Sequence, residues 1–116
     1  MADYLPKYVP GQAITLTAAA KITGGTLVEV SAAGTVTPAG ADSAKVVGVA
    51  GFDAEAGDTV TVYRGGVQRL TAAGAIPAGT QVAAAAGGKA IATGTNKIGV
   101  ALTGAANAND VVDVAL

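Results

Sequence analysis

The sequence predicts an all-β fold: a small β-barrel or β-sandwich built from an internal duplication of two β units of about 50 residues, entered through an extended N-terminal arm. Three observations carry that reading. Leu16-Thr17-Ala18-Ala19-Ala20-Lys21-Ile22-Thr23-Gly24-Gly25-Thr26-Leu27-Val28 returns 54 positions later as Leu70-Thr71-Ala72-Ala73-Gly74-Ala75-Ile76-Pro77-Ala78-Gly79-Thr80-Gln81-Val82, sharing L-T-A-A-x-x-I-x-x-G-T-x-V without a gap. Apolar residues alternate with Thr or charged residues in short runs, the period of a half-buried strand. Helix signals are poor, because the Ala runs are short and broken by Gly, Thr and Pro. Residues 1–10 form the arm, and 11–116 a single domain with repeats at about 11–64 and 66–116.

The arm is a separate kind of sequence. Each proline of Asp3-Tyr4-Leu5-Pro6-Lys7-Tyr8-Val9-Pro10 fixes its own φ and pushes the preceding residue toward extended backbone. Two of the four aromatic residues sit here, outside the repeat. Aromatic side chains are favoured anchors at interfaces, so Tyr4, Leu5, Pro6, Tyr8, Val9 and Pro10 are the candidate partner-contact residues. The plainer alternative is an arm that lies on its own domain.

In the first repeat, Ala13–Thr17 reads as a strand with Ile14 and Leu16 on one face. Leu27–Ser31 is a second strand, Ala32-Ala33-Gly34 its turn and Thr35–Thr37 its return; Lys45–Ala50 and Gly57–Tyr63 complete the unit. Gly65-Gly66 joins the copies, and a three-residue hairpin loop there would set Val62 opposite Leu70. In the second repeat Gln81–Ala84, Lys97–Ala101 and Asn109–Val114 answer the strands of the first, with Gly87-Gly88 as a turn. The offset drifts from 54 to 51 and 52 only across loops, where insertions are tolerated. Two units with one apolar face each would most simply bury those faces against one another, with approximate twofold symmetry.

Composition narrows the function classes. The 116 residues suffice for one core, but its apolar share is mostly Ala and Val, with no Trp. Such small side chains gain little per residue, so oligomer or partner contacts are expected to add stability. A net charge of −1 without a basic patch argues against nucleic acid as a partner. There is no cysteine for a disulfide or thiolate. Residues 1–11 lack the basic start and apolar core of a signal peptide. Leu70–Gly88 is uncharged but rich in Gly, Ala and Thr with Pro77, so it reads as β-rich chain rather than a membrane span.

No catalytic constellation emerges, and no metal or cofactor is expected. Histidine is absent, which removes the commonest general base and metal ligand. Gly87-Gly88-Lys89 is followed by Ala90 and lacks the first glycine of a phosphate loop. Asp53 and Glu55 could hold a hard cation or act as an acid–base pair, but they read as solvated loop carboxylates. Asp58 and Asp110 occupy equivalent positions before a strand, as turn residues do. Lys45 and Lys97 also correspond and read as guards of a strand edge. Arg64 and Arg69 flank the Gly65-Gly66 turn beside Tyr63, as a solvated hairpin tip or a contact patch.

Four motifs carry a family resemblance: P-G-x-x-I-T-L-T-A at Pro10–Ala18, K-V-V-G-V-A at Lys45–Ala50, K-I-G-V-A at Lys97–Ala101 and D-V-V-D-V-A-L at Asp110–Leu116. Together they resemble the small capsid decoration (cement) proteins of tailed bacteriophages, over nearly the whole chain. The resemblance implies a β-rich, non-enzymatic structural protein that binds the outer surface of the assembled shell and stabilises it through multivalent contacts. It implies the major capsid protein and further copies of this chain as partners, in a homotrimer or dimer. It places the protein on the outside of the virion after synthesis in the bacterial host cytoplasm. The alternative is a non-catalytic carbohydrate- or surface-binding β module, for which Tyr63 and Phe52 would supply a thin aromatic platform. The T-x-T triplets Thr15-Leu16-Thr17 and Thr59-Val60-Thr61 lack the regular spacing of an ice-binding array.

Overall fold

Alternation of apolar and polar residues puts one face of each strand out of water, and a sheet rich in Val and Ala curls until that face is covered. In the computed structural model, which describes residues 4–9 and 11–116, ten strands do this in two sets. The first set is β1 (Ile14–Ala18), β2 (Leu27–Ala32), β3 (Thr35–Pro38), β4 (Val46–Ala50) and β5 (Thr59–Tyr63), closed as a barrel in the order β1-β3-β2-β4-β5. The second set is β6 (Val67–Thr71), β7 (Gln81–Ala85), β8 (Lys89–Ile91), β9 (Lys97–Ala101) and β10 (Val111–Ala115), a five-stranded sheet in the order β6-β10-β9-β7-β8. A single 3-10 turn, Ala86–Gly88, links β7 to β8. The fold is all-β.

The recurring motif has a recurring structural job. Thr17 and Ala18 of β1 pair in parallel with Thr35 and Val36 of β3, and the bridge Ala72–Ala90 sits at the equivalent place beside β6 and β8. Ile22 bridges Ala54 and Ile76 bridges Ala105, with both isoleucines fully buried. Gly25 N–H donates to the Ala50 carbonyl at 2.8 Å, as Gly79 N–H donates to that of Ala101 at 2.7 Å. Val28 and Val82 follow, each 0% exposed. The L, first A, I and V of L-T-A-A-x-x-I-x-x-G-T-x-V are therefore buried or half-buried packing positions, while Ala19 is exposed and Thr17 and Thr71 face outward.

The two sets do not bury their faces against each other in a symmetric way. Ala18, Ile22, Val28, Val36, Ala50, Val60 and Val62 fill the first barrel from inside. Leu27, Ala39 and Val49 point outward from that barrel and join the other core, with Leu70, Ile76, Val82, Val112 and Val114. This is why Leu27-Val28 and Val49-Ala50 are buried in consecutive pairs: their strands are covered on both faces. The equivalent residues of the second set, Gln81 and Val100, are exposed. The contact is thus head-to-tail, and the expected twofold relation does not hold. A polar Gln81 where the first set has Leu27 ends the stacking there.

The Gly65-Gly66 hairpin is also not formed. Val62 pairs with Ile14 of β1, and Leu70 pairs with Val112 of β10, so each completes its own sheet. Gly65 and Gly66, at φ 75° and 67°, let the chain cross from one sheet to the other instead. Leu70–Gly88 falls into β6, β7 and the short turn, and among the described residues no helix is long and apolar enough to cross a membrane.

Asp42, in the loop between β3 and β4, ties the sets together. Its carboxylate accepts from Asn96 N–H at 2.8 Å and from Thr95 N–H at 3.0 Å, and its carbonyl accepts from Asn96 Nδ2 at 2.9 Å. The two backbone N–H groups, Asn96 first and then Thr95, hold the Asp42 carboxyl below its ordinary value of 3.8. A depressed folded-state pKa stabilises above the unfolded value, and the contribution is lost as pH falls through the folded one. Asp42→Asn is therefore expected to be less stable than the parent at pH 7. The difference should shrink once pH drops below 3.8, as read by urea denaturation across pH.

Candidate functional site

The described residues hold no enclosed chemistry. None of their buried side chains is polar or charged, and no three His, Cys, Asp or Glu side chains converge. Asp53 Oδ1 accepts from Gly24 N–H at 2.7 Å, so it staples a turn, while Glu55 offers its N–H to Asp58 Oδ2 at 3.1 Å. Asp110 Oδ2 accepts from Asn107 N–H at 3.0 Å, the same turn in the second set. Asp58 and Asp110 are turn residues, and Asp3 lies outside the described residues.

The basic residues are placed differently from the expectation. β4 lies between β2 and β5, and β9 between β7 and β10, so Lys45 and Lys97 guard no open edge. Lys45 Nζ instead sits 3.6 Å from Glu29 Oε2, and Lys97 Nζ donates to the Ala92 carbonyl at 3.1 Å. Arg64 Nη1 donates to the Val47 carbonyl at 3.3 Å. Val47 and Ile98 are the extra residues of matching bulges in β4 and β9. They face a cleft of about 420 Å³ between the sets, with Arg64, Asn96 and Lys97 at its rim.

What remains is surface. Tyr4 and Leu5 are each 84% exposed; Pro6, Lys7 and Val9 are exposed, and Tyr8 is half-buried. Val9 and Gln12 close a turn, with Val9 N–H on Gln12 Oε1 at 3.0 Å and Gln12 N–H on the Val9 carbonyl at 3.0 Å. Pro10, the last of the proposed contact residues, lies outside the described residues. Phe52 and Tyr63 are both half-exposed on the first barrel, and the Tyr63 ring lies over Gly51, where a Cβ would come within 2.9 Å of it.

The structure adds a surface that strand-by-strand reading missed. The outward face of β1 and β5 is a threonine array, Thr15 opposite Thr61 and Thr17 opposite Thr59. At the equivalent places on β6 and β10 stand Arg69 opposite Asp113 and Thr71 opposite Val111, with Val67 opposite Ala115. Val67 is 57%, Leu102 53% and Val111 63% exposed, and Val100 on β9 adjoins them. The Arg69 Nε to Asp113 Oδ1 distance is 3.9 Å at the centre of this face. One signal was available: Val111 opens the T/V-V-x-V run of β10 at the place that Thr59 holds in the run of β5.

No curated protein matches the chain. Its fold is similar to that of the N base of head fiber gp8.5 in bacteriophage phi29, seen in a crystal structure. The TM-score is 0.71 at 18% identity, over 90% of this chain and 92% of that one, a likeness of fold. The family model of the phage cement protein matches residues 8–116, and the chain belongs to that family of structural, capsid-associated phage proteins.

Proposed function

We propose that this chain binds the outer surface of an assembled phage capsid, with the major capsid protein as its partner, and stabilises the shell through multivalent contacts. The family match over residues 8–116 carries the reading. The protein works as a homo-oligomer, a trimer or dimer, so that modest contacts at each site add up to lasting attachment. Residues 11–116 act as one rigid domain grown from a duplicated unit, and the arm supplies anchors at Tyr4, Leu5, Pro6, Tyr8, Val9 and Pro10. It catalyses nothing, and it is made in the bacterial host cytoplasm before it joins the outside of the virion.

Shells lacking this chain, mixed with the purified protein and pelleted, test the reading. The parent is expected to bind to saturation and to raise the temperature at which particles release DNA. Tyr4→Ser combined with Leu5→Ser is expected to weaken binding by about 10- to 100-fold, the loss of two interface anchors. A parent protein that stays in the supernatant at every concentration contradicts the proposal.

A further inference from the structure

The arm and the outer face of β6, β10 and β9 are both apolar, both exposed and unpartnered by one another within one chain. We propose that the arm of one copy docks on this face of a second copy, so that the oligomer is held by arm exchange. The inference rests on the homo-oligomer of the proposed function and names its interface.

Chemistry and size agree. The face offers Val67, Val100, Leu102 and Val111 around the Arg69–Asp113 pair. The arm offers Tyr4, Leu5, Tyr8 and Val9, with Lys7 among them to meet the Asp113 carboxylate. Arg69 reaches that carboxylate only at 3.9 Å, which leaves acceptor capacity for a second cation. Three neighbouring five-residue strands make a face of about 14 by 17 Å, and the six residues Tyr4–Val9, bent at Lys7 and Tyr8 in the free chain, reach about 20 Å only when straightened on docking. The threonine face of the first barrel suits the arm less well: Thr15, Thr17, Thr59 and Thr61 offer only their methyl groups beside their hydroxyls, and no charge. An arm-to-face contact joins two different patches, so it closes as a reciprocal pair or a ring.

The absence of cysteine makes the test clean. Full-length Leu5→Cys and Val111→Cys chains, carrying tags of different size, are mixed and oxidised, and the mixed disulfide is read on a non-reducing gel. Val111 is 63% exposed, so the substitution leaves the core intact. A docked arm raises the local thiol concentration toward the millimolar range. The Leu5→Cys with Val111→Cys product is then expected at about ten times the yield of Leu5→Cys with Thr59→Cys, the equivalent place on the threonine face. Equal yields overturn the inference. So does a double Leu5→Cys, Val111→Cys chain that links only within itself. Shell pelleting by the parent keeps the two readings apart: binding without the mixed disulfide removes only the arm exchange, and failure to bind removes the capsid reading.

Discussion

Gly48→Ala and Gly99→Ala are each expected to destabilise the fold by about 3 kcal/mol, the upper range for forcing extra volume into a packed site. Neither glycine needs an unusual φ; each is needed for closeness. A Cβ at Gly48 would run into the Tyr63 carbonyl oxygen and sit 2.8 Å from Val62 Cγ1. A Cβ at Gly99 would run into the Ala115 carbonyl oxygen and sit 3.0 Å from Val114 Cγ1. Both obstacles belong largely to backbone in the neighbouring strand, which cannot swing aside as a flexible side chain can. The glycine in V-G-V-A and I-G-V-A thus marks where β4 meets β5 and β9 meets β10. Gly74→Ala, with nothing within 4 Å, is the control and should change stability little. Urea denaturation followed by circular dichroism reads all three. A loss under about 1 kcal/mol at Gly48 contradicts the close approach.

Leu27→Ala is expected to cost about 3 kcal/mol, within the range for truncating a buried leucine. Leu27 is 0% exposed and projects from the first barrel into the core shared with Leu70, Val82 and Val112. Its loss therefore weakens the seam between the sets as well as local packing. Val28→Ala, whose side chain points into the first barrel, leaves the seam intact. The parent should unfold in one transition, because the seam couples the sets. Leu27→Ala should lower and broaden it, whereas Val28→Ala should lower it without broadening. Equal broadening in both variants contradicts the assignment of Leu27 to the seam.

Strand identity and the all-β class were legible in the sequence, because alternation over β1, β5 and β10 follows directly from one-sided burial. The turns around Asp58 and Asp110 were legible for the same reason, since their chemistry is local. Partner choice was not. Val62 and Leu70 both read as inward residues, and nothing near them says that one pairs with Ile14 and the other with Val112. The seam was hidden too: Leu27-Val28 looks like a strand start, and double-sided burial shows only once a second sheet covers it. The face around Arg69 and Asp113 is spread over β6, β9 and β10, so no single stretch of sequence contains it.

The most direct test of the capsid reading is the number of copies in purified particles, by quantitative mass spectrometry against the major shell protein. The account predicts a copy number comparable to that of the shell protein, as expected for a component repeated over the whole surface. A few copies per particle would place the chain at a vertex or tail, and complete absence from particles would contradict the account.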